Sequence, residues 1–375
     1  MSAVTAGGRS ALGATYGVLL GLAVLDATGY SLIAPVQPAL AGQTGASTTV
    51  MGLFVATFPL GMIAGFAAGG FAVRRTSPAA IIWAGLALIA AGTSTFVIAS
   101  DLAALVPGRL VMGLGSGFLW LGIAFATLAA WPGQEYVCMS RIFAAYSVGG
   151  LLGPLLGALP GVRAPFAAYL VLIVAAALST AALRVPSTVR PMADRRVLRT
   201  WGFAAACVGI AFAVLALGTL EGVMPLHFGT LLSQPQMGWL YAATSVVVAV
   251  AAALAARFRP RRALLSSTVL IVAGFAAVAA SQTVWIWLIA LAVAGIGIGL
   301  ANTGSVGVLL DAVPTERIVT AMVLWSQIGI LGYLLAPALG GPIADAYGYP
   351  AVTWILAVAA LVTVIALAIS VRGRK

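Results

Sequence analysis

Residues 19–40 read LLGLAVLDATGYSLIAPVQPAL. This apolar run holds one carboxylate, Asp26, and nine residues on comes Pro35, with Pro38 after it. At about 1.5 Å per helical residue, Asp26 lies roughly 13 Å inside the end that Pro35 marks. That is too deep for an interfacial charge in a bilayer whose apolar core is about 30 Å thick. An ionisable side chain at such depth costs several kcal/mol unless it faces a bundle interior or a wet cavity. Asp26 is therefore expected to be paired, protonated or functional, and the remaining chain must supply its surroundings.

The composition agrees. The chain has 375 residues, 62% of them hydrophobic and only 7% charged, against about 25% charged in a soluble domain. Mean hydropathy is +1.12. Apolar runs of about 20 residues, divided by short polar breaks, predict helices and exclude the roughly ten-residue alternating strands of an outer-membrane barrel. Twelve spans are expected, near 11–34, 49–73, 78–99, 103–130, 141–160, 164–183, 201–225, 237–256, 263–281, 283–310, 318–340 and 351–371. The net charge of +11 would suggest nucleic acid in a soluble protein. Here the basic residues sit in short loops, so they report topology and no nucleic-acid partner is expected.

With the N-terminus placed in the cytoplasm, all of the 19 lysines and arginines except Arg109 and Arg163 fall on the cytoplasmic side. Both termini are accordingly expected in the cytoplasm. The first span should stay in the membrane, because no cleavage pattern follows the N-terminus. The longest polar break, RVPSTVRPMADRRVLRT at 184–200, falls near mid-chain. It divides a six-span half, residues 1–184, from a second, residues 201–375, with 185–200 as a basic cytoplasmic linker. The halves share a pattern, since Gly149, Gly153, Pro154 and Gly157 in the fifth span are spaced like Gly332, Ala336, Pro337 and Gly340 in the eleventh. Equal halves of this kind are the sequence sign of a duplicated transporter. Cys138, in an expected cytoplasmic loop, and Cys207, within a span, stand on no metal spacing and are expected as free thiols. A single lysine among so many arginines, with abundant Ala and Gly, fits a GC-rich bacterial genome.

Four motifs resemble the major facilitator superfamily, and within it the twelve-helix drug/proton antiporters. GGFAVRRTSP at 69–78 is similar to the loop between helices two and three, with Gly69 and Arg74 in place; Val73 and Thr76 stand where the family carries an acidic residue and a second glycine. Arg109, Met112 and Gly113 resemble Arg-x-x-Gln-Gly of the fourth helix, with Met112 for the glutamine. GGLLGPLLGA at 149–158 resembles the fifth-helix motif of antiporters and is the most specific of the four. Asp26, Gly29, Pro35 and Pro38 match the first helix of tetracycline/proton antiporters. In the seventh span, Glu221 followed by Pro225 is similar to vesicular monoamine transporters. Asn302 and Ser326 stand where those relatives keep carboxylates, which argues against an amine substrate.

The resemblance implies an all-α membrane protein in the major facilitator fold, two pseudo-symmetric six-helix halves alternating access around a central cavity. Asp26, Glu221 and Arg109 are the expected proton-coupling residues. An isolated carboxylate in apolar surroundings favours its neutral form, which suits proton exchange, and Arg109 is placed at a depth similar to that of Asp26, so the two are candidates to pair. Arg109 has a second reading as a brace between helices, and Glu221 has one as a water-exposed group near a helix end. Tyr30, Trp120, Asn302, Trp325, Gln327 and Tyr333 are the expected cavity residues. Gly69, Arg74, Gly113, Gly149, Gly153, Pro154 and Gly157 form the conformational motifs, and the side-chain-free face of the fifth span is expected to press on the other half. His227 is placed in an outer loop with no catalytic role. Asp101, Glu135, Asp194, Glu316 and Asp345 are read as solvated loop charges, and Asp311, at the end of the tenth span, likewise.

These readings predict a secondary transporter of the cytoplasmic membrane. Its partners would be a small-molecule substrate, protons and the lipid bilayer, with a monomer expected and no cofactor. The leading reading is proton-coupled export of a small, partly lipophilic compound. The alternative is efflux of a sugar-like or other polar metabolite, which needs a more polar cavity. A sensor or membrane enzyme is a remote third, since no nucleophile-and-base or metal constellation occurs. No Gly-x-x-x-x-Gly-Lys loop occurs either, so ATP is not the expected driver.

Overall fold

Helix-starting signals in the sequence act as written. Ser77 caps a helix that opens on Pro78, Asp101 caps the next, and Thr200 caps the first helix of the second half; each side-chain oxygen accepts the N–H three residues on. In the computed structural model, which describes residues 6–72, 75–131, 134–183, 185, 200–255, 257–314 and 317–372, the chain is helical nearly throughout. The helices are α1 (Ala6–Ser31), α2 (Ile33–Thr44), α3 (Thr48–Ala72), α4 (Pro78–Ile98), α5 (Leu102–Ala130), α6 (Glu135–Gly157), α7 (Arg163–Ser179), α8 (Trp201–Gly222), α9 (Met224–Phe228), α10 (Gln234–Ala255), α11 (Pro260–Ala279), α12 (Val284–Ala312), α13 (Ile318–Tyr347) and α14 (Tyr349–Arg372). Arg74, Asp194, Glu316 and nearly all of the mid-chain linker lie outside the described residues.

Two pairs of these helices are single spans with a break. α1 and α2 are interrupted at Leu32, and α8 and α9 at Val223. Proline accounts for both: Pro35 cannot donate to the carbonyl of Ser31, nor Pro225 to that of Glu221, one turn back in each case. Counted this way, eleven spans among the described residues are long and apolar enough to cross a membrane. The twelfth, α7, has 17 residues and runs on into the short 3-10 turn Thr180–Ala182. α13 passes into α14 through Gly348 alone, whose φ of +79° is open to glycine and strained for other residues.

The chain forms two compact units, residues 1–33 with 60–191 and residues 34–59 with 192–375. Within the first, α4 packs on α5 and α7, and α1 packs on α6. Within the second, α11 packs on α12 and α14, and α8 packs on α13. Matched by order of spans, these are the same pairings twice, as a duplicated six-helix unit requires. Glycines set the closeness: a Cβ at Gly115 would meet Gly85 and Ile89 of α4, and one at Gly274 would meet Ala290 and Ala294 of α12.

Several expected loop residues lie in or against helices. Cys138 is buried in α6, where its carbonyl accepts from the Tyr16 hydroxyl at 3.0 Å. Glu135 is the first residue of α6. Asp101 is the N-cap of α5, its carboxylate held by the Ala104 amide. Asp345 extends from α13 to accept the amides of Thr48 and Thr49, at 3.2 and 2.7 Å, and so caps α3 within the second unit. His227 sits in α9, buried against Trp287 and Tyr349 with ring centroids 5.1 and 4.5 Å away. Asp101 and Asp345 are exposed, as expected of solvated charges, whereas the imidazole and the Cys138 thiol are buried, because hydropathy averages hide where a helix begins and a short aromatic contact at its end.

Candidate functional site

In the first unit the polar residues gather on the last turns of α1, just before its break. Asp26 is 2% exposed, and its Oδ2 has no hydrogen-bond partner among the described residues. The Ser116 side chain of α5 lies beside the carboxyl group. Ser116 follows Arg109 by seven residues, two helical turns, so both project from one face of α5. That spacing was available in the sequence, and Ser116 escaped notice because a lone serine between glycines reads as packing.

Arg109 is fully buried. Its Nη1 reaches the carbonyl of Gly29 at 3.5 Å and its Nη2 that of Tyr30 at 3.3 Å, with the guanidinium 5.9 Å from the Tyr30 ring centre. Those carbonyls close α1 at its break, where the helix dipole presents its negative end. A guanidinium there stabilises the helix end and supplies donors that the break removes. Arg109 thus braces α5 against α1 whatever else it does. Trp120 is also buried, but its ring packs on Phe143 and Tyr146 of α6, centroids 5.2 and 5.5 Å away.

Tyr169 of α7 completes this cluster and was not singled out in the sequence. It is fully buried, and its hydroxyl donates to the carbonyl of Leu25 at 3.1 Å. A Cβ on Gly29 would collide with that hydroxyl, so glycine is what lets Tyr169 reach the helix.

The glycines of the fifth span contact the same helix. A Cβ at Gly149 would strike Val24 O, Ala27 and Thr28 N, and one at Gly153 would strike Ser31 Oγ, Thr28 O and Leu32 N. Thr28 and Ser31 turn their hydroxyls back to the carbonyls of Val24 and Ala27, both at 2.8 Å, keeping that surface smooth. The expectation that this glycine face presses on the other half is therefore corrected: Gly149 and Gly153 fit α6 against α1 inside one unit. Gly69 is likewise buried against Leu121 of α5, and Gly113, Pro154 and Gly157 are buried.

The second unit has its own cluster. Glu221 is 7% exposed, so the water-exposed reading of this carboxylate is corrected. Its backbone carbonyl, deprived of an intrahelical donor by Pro225, accepts from the side-chain amide of Gln37. Gln37 is fully buried, and its Oε1 has no partner among the described residues. The Tyr241 hydroxyl donates to the carbonyl of Leu220 at 2.7 Å, one residue before Glu221. Tyr333 packs against Gly218, one turn below Glu221. Trp325 is buried, and Asn302 and Gln327 are half-buried, in this same unit.

Twelve apolar spans in two like-packed sets of six, each with a buried carboxylate on a broken first span, define a polytopic transporter of the secondary class. The chain belongs to the Major Facilitator Superfamily, whose family profile matches residues 19–204 and 202–375. It is a multi-pass membrane transporter and not an enzyme. Its fold is similar to that of a bacterial homologue of the human lysosomal transporter Spinster, with a TM-score of 0.74 at 14% identity over 97% of this chain and 96% of that one. A D-xylose–proton symporter superposes with a TM-score of 0.73 at 14% identity over 93% and 96% of the two chains. A POT family transporter gives 0.75 at 13% identity over 96% of each. In sequence, the chain is 29% identical over 125 residues to the MFS-type transporter ppzB of Metarhizium majus (strain ARSEF 297). That likeness covers 32% of this chain and 27% of the relative's length.

Proposed function

We propose that this transporter exports a small, partly lipophilic compound from the cytoplasm in exchange for protons, with Asp26 as the carboxylate that carries the proton. The observation supporting this reading is the carboxyl of Asp26, buried with one oxygen unpartnered. A permanently charged carboxylate would be costly there, whereas one that gains and loses a proton matches its surroundings in turn. Arg109 holds the turn that carries it, and Glu221 is the corresponding carboxylate on the first span of the second half. The resemblance of residues 149–158 to the antiporter motif favours exchange over cotransport.

The test is uptake of a lipophilic cation such as ethidium into inside-out proteoliposomes under an imposed pH gradient. Asp26→Asn is expected to abolish gradient-driven accumulation while leaving dye exchange without a gradient. An unchanged response to the gradient removes Asp26 from coupling. A second reading, efflux of a polar metabolite, is favoured by Gln37, whose buried amide oxygen lacks a donor. If polar compounds protect the protein thermally, Gln37→Leu should cancel their effect and leave that of apolar dyes.

A further inference from the structure

Two carboxylates lie on the first spans of their halves, and next to each a buried tyrosine does the same thing. Tyr169 donates to Leu25 O, the carbonyl preceding Asp26, and Tyr241 donates to Leu220 O, the carbonyl preceding Glu221. Duplication alone does not explain this. Tyr169 comes from the sixth span of its half and Tyr241 from the second of its own, so the arrangement is reached by two routes.

The cost of the arrangement is visible at Gly29. Leu25 O already has its helical donor one turn on, at the Gly29 amide, and the tyrosine hydroxyl brings a second by occupying the space of a Cβ at that residue. A buried tyrosine needs a hydrogen-bond acceptor. Here the acceptor is the peptide carbonyl adjoining a carboxyl group, which fixes the turn from which Asp26 projects.

We propose that Tyr169 is the positioning residue for Asp26: its hydroxyl, admitted by Gly29 and bonded to Leu25 O, sets the placement in which the carboxyl exchanges its proton. This rests on the reading of Asp26 as the proton carrier. Three α-helices pack against α1 in this unit, together with the 3-10 turn Thr180–Ala182, which carries no charged group. α5 brings Arg109 and Ser116, α7 brings Tyr169, and α6 brings the bare backbone of Gly149 and Gly153. Cys138 and Arg141 of α6 face Tyr16, roughly 15 Å along α1 from Asp26. Tyr169 is thus, with Arg109 and Ser116, one of the described polar groups of these helices through which proton affinity at Asp26 can be set.

Infrared titration of the purified protein in lipid tests this without any substrate. The protonated-carboxyl band lost in Asp26→Asn belongs to Asp26. In Tyr169→Phe, which keeps the ring, the midpoint of that band is expected to move by about one pH unit, a tenfold change in proton affinity. Gly29→Ala sets a methyl where the hydroxyl stands and should move the same midpoint with Tyr169 intact; it decides the matter if Tyr169→Phe does not fold. A midpoint unmoved in Tyr169→Phe overturns the positioning role and leaves Asp26 as proton carrier. If no titrating band is lost in Asp26→Asn, the proton reading fails and the positioning role falls with it.

Discussion

Arg109 carries two tasks that the sequence could not separate. Its guanidinium spans the carbonyls of Gly29 and Tyr30, so a planar fork is needed where a single ammonium would reach one of them. Arg109→Lys keeps the charge and loses one of the two bonds. Hydrogen bonds to charged groups contribute about 1.5–3 kcal/mol each, and the lost carbonyl contact should lower the thermal midpoint in lipid nanodiscs accordingly. Arg109→Gln should fall further, because it removes the cation from the helix end as well. Equal midpoints for wild type and both variants would mean that α1 ends without help from Arg109. At this scale the acidic and basic residues were legible, since charges inside apolar runs announce themselves. Tyr169 was not, because its role depends on a carbonyl 144 residues away in sequence, and an apolar helix with one tyrosine carries no mark of which backbone it will meet. Gln37 stayed hidden for a related reason. Its importance comes from Pro225, which frees the carbonyl that Gln37 then occupies.

Among the helices, hydropathy located most spans within a few residues, but the first runs on to Thr44, the fifth begins at Glu135 and the eleventh ends at Tyr347; the breaks in the first and seventh spans follow from Pro35 and Pro225. What periodicity left open was direction. Glycines one turn apart say that a helix approaches a neighbour closely and do not say which neighbour. In α6 the neighbour is α1, so Gly153 belongs to the packing of the unit that holds Asp26. Gly153→Leu would drive its side chain into Ser31, Thr28 and Leu32, and overpacking of this sort costs about 1–3 kcal/mol. The expected result is a lower melting midpoint together with loss of gradient-driven transport, and Gly153→Ala should show a smaller fall in both. Loss of transport at an unchanged midpoint would instead return the motif to a surface that moves. The cap of α3 by Asp345 is the other element-scale feature beyond the reach of the sequence, since donor and acceptor are separated by nearly 300 residues.

At the scale of the whole molecule, the distribution of charge sets how the bundle lies in the membrane. Arg257 and Arg259 fall between α10 and α11 and Arg261 and Arg262 in the first turn of α11, while the loop between α11 and α12, residues 280–283, has no charge at all. Short loops rich in arginine stay in the cytoplasm, so these two neighbouring loops should face opposite sides. The chain is well suited to a direct test, because both native thiols, Cys138 and Cys207, are buried and give little background to a bulky reagent. Gln282 and Arg259 are exposed at the two ends of α11. In intact cells a membrane-impermeant maleimide should label Gln282→Cys and leave Arg259→Cys untouched, and in inside-out vesicles the pattern should reverse. Labelling of Arg259→Cys from outside would invert the topology. Proton-driven export would still stand, because an antiporter moves its substrate against the inward flow of protons in either orientation, but Asp26 would meet the gradient from the opposite end of its helix.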